Sequence, residues 1–274
     1  MKTLSLFLAL TVICFSTSGK ETVYQGSTPA HQHVRDFLGI SLTDSIDFIR
    51  WKVAIRSNRY DLNCQYGISK GGTSGFIDEK KVAFSGQVSR QGHYYLLQRG
   101  NKTFYVLEIN ASLLYLLDEN KNLLVGDGGY SYALNSKTPV KSQQFNYPLK
   151  QSRVGYLMAF QGRTPCQELS SNPACEKMKW YIIFYTDSVT GKPSYYLEGG
   201  RGYKKETMAR GRWEIIRKNG RIIYKLDIEK YTHPLYLLKA DDNILFFTDA
   251  AGNLLVGNEN FSYTLNRTGD REPK

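Results

Sequence analysis

The stretch Leu123-Leu-Val-Gly-Asp-Gly-Gly-Tyr-Ser-Tyr-Ala-Leu-Asn135 decides the fold, because it returns as Leu254-Leu-Val-Gly-Asn-Glu-Asn-Phe-Ser-Tyr-Thr-Leu-Asn266. Self-similarity of this kind marks a duplicated unit and takes precedence over any local reading. Upstream, Leu113-Leu-Tyr-Leu-Leu-Asp118 is matched by Ile244-Leu-Phe-Phe-Thr-Asp249, and Phe104-Tyr-Val-Leu-Glu-Ile109 by Ile223-Tyr-Lys-Leu-Asp-Ile228. The openings pair Phe37-Leu-Gly39-Ile-Ser41 with Phe160-Gln-Gly162-Arg-Thr164, and Trp51 and Trp180 head the next strand of each half. The order of matches is kept while their spacing drifts, as a duplication with later insertions would leave it. One insertion is expected between Gly162 and Trp180, and a second over Glu229 to Asp242. Two copies of about 100 residues suit two self-contained domains rather than a solenoid, which needs three or more short repeats.

Within a copy the pattern is that of short strands. Trp180-Tyr-Ile-Ile-Phe-Tyr185 is a run of bulky β-formers that Asp187 and Ser188 end. Gly211-Arg-Trp-Glu-Ile-Ile-Arg217 alternates, and Lys218-Asn-Gly220 is a two-residue hairpin signal leading into Arg221-Ile-Ile-Tyr-Lys-Leu-Asp227. Seven or eight such strands follow one another in each half. The best helical stretch is a short one near Leu42 to Phe48. An antiparallel meander removes its exposed edges by closing, so the expected fold is all-β, two tandem lipocalin-like antiparallel barrels. A transmembrane barrel competes, but the strands are short for a span of about 9–11 residues.

Composition agrees with this class. The chain has 274 residues, 20 Tyr, 13 Phe and 41% apolar residues, enough for packed cores and too little charge imbalance for disorder. Lys2 followed by the apolar run Leu4 to Phe15 and small residues at Ser16 to Gly19 reads as an export signal. The segments are then a signal over 1–19, a flexible lead-in over 20–36, a first barrel over 37–138, a linker over 139–155, a second barrel over 156–267 and a tail over 268–274. Cys14, with Ile13 before it, is read as a discarded signal residue, with acylation as the alternative. Past the signal three cysteines remain, Cys64, Cys166 and Cys175, and export places them where disulfides persist.

Phe160-Gln-Gly162-Arg-Thr-Pro165-Cys166, then Cys175, then Gly211-Arg-Trp213 resembles the domains of the NlpE-like copper-homeostasis lipoprotein family. Those domains carry a glycine, a Pro-Cys, a second Cys and a downstream Gly-x-Trp. The resemblance covers 156–267 and, more weakly, 37–138. It implies a lipocalin-like barrel of the bacterial envelope, in the periplasm or on the outer membrane as a lipoprotein, concerned with copper or envelope stress. Only Cys166 and Cys175 carry over as the family's cysteines.

Two readings of Cys166 and Cys175 stand side by side. One is a disulfide pinning a Ser/Asn-rich loop; the other is a soft-metal site of two thiolates with Met178 as a thioether, suited to Cu(I). His31 and His33 form an H-x-H pair, a weak metal candidate on its own. Cys64 is expected to be a buried, inert thiol. His93 and His233 look like surface residues. The formal charge of +11 is densest over Arg201, Lys204, Lys205, Arg210, Arg212, Arg217, Lys218 and Arg221, which read as a solvated strand face able to meet an anionic polymer. No nucleophile elbow, phosphate loop or zinc-protease motif occurs.

The expected function is therefore non-catalytic. Copper is the one cofactor considered, through the family alone. The expected partner is an envelope protein or a small ligand, with peripheral membrane contact allowed and no nucleic acid. The alternatives are a hydrolase with an acid pair, for which Asp118 and Asp249 or Glu108 and Asp227 are candidates, and a surface protein binding an anionic polymer.

Overall fold

The computed structural model describes residues 21–148, 156–200, 207–228 and 233–269. The expected signal over 1–19, most of the tail and Arg201, Lys204 and Lys205 lie outside these residues. The rest is two closed eight-stranded antiparallel barrels in tandem, each a simple meander. The first is built from β1 (Thr22–Thr28), β2 (Phe48–Ile55), β3 (Arg59–Ser69), β4 (Phe76–Gln91), β5 (Tyr94–Arg99), β6 (Lys102–Asn110), β7 (Leu113–Leu116) and β8 (Ala133–Ser136), with α1 (Gln32–Leu38) between β1 and β2. The second comprises β9 (Leu157–Pro165), β10 (Lys177–Thr186), β11 (Pro193–Gly199), β12 (Ala209–Lys218), β13 (Arg221–Leu226), β14 (Leu235–Lys239), β15 (Ile244–Thr248) and β16 (Thr264–Arg267).

Each barrel closes by the same device. On β2, Ile49, Trp51, Val53 and Ile55 are buried while Lys52 is exposed, the alternation that directs one face inward. Trp51 lies opposite Gly26 on β1, and Trp180 opposite Gly162 on β9. A Cβ on Gly26 would stand 2.6 Å from the Ala133 carbonyl, and one on Gly162 would stand 2.7 Å from that of Thr264. First and last strands can therefore meet only across a glycine. Each indole then donates to a threonine two residues after that glycine, Trp51 to Thr28 at 2.9 Å and Trp180 to Thr164 at 2.8 Å.

This device corrects the opening alignment. The counterpart of Phe160-Gln-Gly-Arg-Thr-Pro165 is Tyr24-Gln-Gly-Ser-Thr-Pro29, not the segment around Gly39. Gly39 instead ends α1 in the left-handed conformation, with φ 66°. The expected flexible lead-in over 20–36 is β1 and most of α1, so the first barrel begins before residue 37. The stretch near Leu42 is not helical, and Leu42 is exposed; Val34, Phe37 and Leu38 form the apolar face that docks α1. It is therefore the first copy that is longer between its glycine and its tryptophan.

The segment Phe104 to Ile109 lies on β6. The order of strands pairs it with β14, so Phe104-Tyr-Val-Leu matches Leu235-Tyr-Leu-Leu and not Ile223 onward. From Phe104 to Asn135 the copies then align at a single offset of 131 residues, without an insertion over 229–242.

The barrels also touch. Leu238, Ala240, Ile244 and Phe246 of the second belong to the apolar cluster of the first, so the interiors are not wholly separate. Residues 140–147 of the expected linker are a strap across this junction. Tyr147 is buried, the Ser142 carbonyl accepts from Leu254 N–H at 3.1 Å, and the Phe145 ring meets that of Phe246 edge-on at 6.0 Å between centroids.

Candidate functional site

The two copies differ most at one end of the barrel, where β1 and β9 finish. In both, the chain leaves through Thr-Pro and is held by a tyrosine of the repeated stretch. Tyr132 meets the backbone of His31, and the Tyr263 hydroxyl accepts from Glu168 N–H at 3.0 Å. Beyond that point the copies diverge.

In the first barrel α1 seals the mouth. Its Phe37 ring stacks on Phe104 at 4.9 Å, and the His33 imidazole stacks on the same ring at 5.0 Å. The β5–β6 hairpin clamps it from outside, Arg99 Nη1 donating to the Phe37 carbonyl at 2.8 Å and Lys102 Nζ to Asp36 Oδ1 at 2.7 Å. His31 Nδ1 accepts from His33 N–H at 3.2 Å and caps the helix. The H-x-H pair is thus part of a plug, on a different barrel from Cys166 and Cys175.

In the second barrel a disulfide-closed loop, Cys166 to Cys175, takes the place of the helix, with 5.7 Å between the Cα atoms. Two positions beneath it have changed. Leu235 stands where the first copy has Phe104, and Thr248 where it has the fully buried Leu117. Without the helix and the phenyl ring, a cleft of about 690 Å³ opens at the mouth. That falls within the range of small-molecule sites, and barrel mouths are a customary place for them.

Glu168, Leu169 and Ser170 of the loop line the cleft, with His233, Leu235 and Thr248 across it. Thr248 is 5% exposed and its Oγ1 has no hydrogen-bond partner among the described residues. A buried hydroxyl left this way costs about 1–3 kcal/mol. Asp249 also lines the cleft, but its carboxylate is occupied. Burial pushes its pKa up, and donation from the Asn253 side chain and backbone outweighs that and holds it below the ordinary carboxylate range. Asp118 holds the matching turn of the first copy through Asn122. These two acids therefore tie turns.

The other expected site residues are scattered. Met178 is packed against the second core. Pro165 ends β9, and Gly211 lies under Tyr196, whose Oη a Cβ there would meet at 2.3 Å. Trp213 donates to the Tyr185 carbonyl at 3.0 Å inside the barrel. Cys64 is buried on β3, and desolvation raises its thiol pKa well above the ordinary value. Arg210 and Arg212 face outward on β12, Arg210 lying 4.0 Å over the Tyr195 ring, whereas Arg217, Lys218 and Arg221 sit at the β12–β13 hairpin on the far end from the cleft. Of the other two acids, Glu108 is paired with Arg90, and Asp227 lies 3.6 Å from Lys225 Nζ. Among the described residues no three of His, Cys, Asp and Glu are gathered to hold a metal, and no helix is long and apolar enough to cross a membrane.

His233 is exposed, as the sequence suggests, and lines the cleft from the surface, whereas Thr248 carries no motif that marks it in the sequence. Aligning the copies at one offset would have exposed Thr248 as a polar residue at a core step. Comparison of the chain with family models, with curated proteins and with solved structures returns no match.

Proposed function

We propose that this is a non-catalytic, exported binding protein in which the first barrel is a sealed scaffold and the second takes a small ligand at its mouth. The observation that carries the reading is the contrast between copies: one mouth is shut by α1 on Phe104, and the other is open over Leu235 and Thr248, whose hydroxyl has no partner among the described residues. The lining suits a molecule of mixed polarity, with an apolar body against Leu169 and Leu235 and polar groups for Thr248, Glu168 and His233. An envelope location follows from the leader and from the family resemblance.

Ligand-observed NMR with a library of small polar–apolar fragments tests it. Binders to the wild-type chain should be lost in the Leu235→Phe/Thr248→Leu variant, which restores the residues of the sealed mouth. Fragments that bind both proteins equally, or none that bind, would overturn it.

Copper belongs to a second reading that rests on the resemblance. It requires the Cys166–Cys175 bond to open, since a disulfide offers no thiolate. Cu(I) titration of the reduced and oxidised protein with native mass spectrometry decides it: uptake by the reduced form alone supports the reading, and uptake by neither ends it.

A further inference from the structure

We infer that the two barrels are joined through an isologous interface that needs no tether, so that the outer face of each is a docking surface whose partner is a barrel of the same kind. In a two-fold interface a residue on the axis meets its own copy, and if residue i meets j then j meets i. The junction satisfies both conditions at the offset of 131. Ser131 Oγ lies 2.5 Å from Ser262 Oγ; the Tyr130 ring stacks on Phe261 at 6.0 Å; the Tyr115 ring meets Phe246 edge-on at 5.7 Å. Each of these pairs is one position of the repeat meeting itself.

The off-axis contacts are reciprocal. Gly126 N–H donates to Asn266 Oδ1 at 2.8 Å, and Gly257 N–H to Asn135 Oδ1 at 2.7 Å. Both asparagines are buried, as are both serines. Two barrels packed side by side only because a linker holds them close have no reason to place equivalent residues against one another. A surface shaped for self-association does, and duplication with fusion preserves it. The most strongly repeated stretch of the sequence is the one that builds this junction. The strap over 140–147 crosses it on one side only and breaks the symmetry, as a later addition would.

The test uses the whole chain with a protease site inserted within residues 149–155. After cutting, verified on a denaturing gel, the two fragments should elute together at the volume of the uncut chain at micromolar concentration. Ser131→Glu with Ser262→Glu sets like charges on the axis and should weaken the cut pair at least a hundredfold. Ser131→Lys with Ser262→Glu should recover most of that loss. Wild-type fragments that part or precipitate after cutting would overturn the inference, as would a Glu/Glu pair that stays as tight as the wild type.

Discussion

Asn135 and Asn266 close the two copies of the repeated stretch, and each buried side chain accepts the amide of a glycine on the opposite barrel, Gly257 and Gly126. Asn135 Nδ2 also donates to the Asn258 carbonyl at 3.0 Å. Truncating either side chain takes the acceptor from a part-buried glycine N–H and opens space in the junction. Asn135→Ala and Asn266→Ala should each cost about 1–3 kcal/mol in urea unfolding. Because the loss falls at the junction, the double variant should also split one unfolding transition into two. A double variant that unfolds in a single transition at the wild-type midpoint would show that the asparagines do not couple the barrels.

The disulfide gives a second prediction. The Cys166–Cys175 loop, with a sequence separation of 9, is held otherwise by Tyr263 and a few turn contacts. Replacing both cysteines by alanine should lower stability by roughly 2–3 kcal/mol through loop-closure entropy. Thiol counting on a chain starting at Lys20 should find no reactive thiol in the native protein, one in denaturant, and three after reduction. The single thiol is Cys64, whose burial and raised pKa keep it unreactive until the first barrel opens. A thiol that reacts at once in the native protein would contradict the buried placement.

Much of the fold was legible because its determinants are local. Alternation on β2, the Lys218-Asn-Gly220 turn and the duplicated Trp51 and Trp180 all point to a closed meander. The first strand was not legible. Its inward residues are Tyr24, Gly26 and Thr28, only one of them a large hydrophobe, and Gln25, Ser27, His31 and His33 make the region look like a polar lead-in. The helix α1 is seven residues long, has no acid in its first turn and uses a histidine as cap, so it carries none of the usual start signals. The junction was hidden for a different reason: Ser131, Asn135, Ser262 and Asn266 are small polar residues whose burial comes from the other barrel. The cleft follows from differences between copies, and those cannot be read while Phe104 is aligned with Ile223.

The buried tyrosines give a pH dependence. Burial pushes Tyr60, Tyr147 and Tyr263 up to about 12 from the ordinary value of 10.0, and Tyr24, Tyr132 and Tyr224 higher still. The native state therefore favours the neutral phenol more than the unfolded chain does. The contribution is complete below the unfolded value near 10 and is lost as pH rises through the folded values. The barrels should hold to about pH 10 and unfold cooperatively by about pH 12, with sheet circular dichroism vanishing as the buried phenolates absorb. Tyrosines that all ionise near 10 while the sheet persists would contradict this.

At Thr248 stability and the cleft are opposed. Thr248 occupies a core step at which the first copy has Leu117, yet its hydroxyl is buried and has no partner among the described residues. A residue that lowers stability without structural return is expected at a binding site, where the group it leaves unmet is met by the ligand. Thr248→Val removes that hydroxyl at nearly constant volume and breaks no hydrogen bond of the protein. It should therefore raise stability by about 1 kcal/mol in denaturant unfolding while weakening any ligand that pairs with Oγ1. The mirror change in the first copy, Leu117→Thr, gains nothing and buries a hydroxyl in the apolar cluster of the first barrel, so it should cost roughly 2–4 kcal/mol. If Thr248→Val destabilises instead, the hydroxyl is structural, and the open mouth must owe its shape to the missing helix and to Leu235 alone.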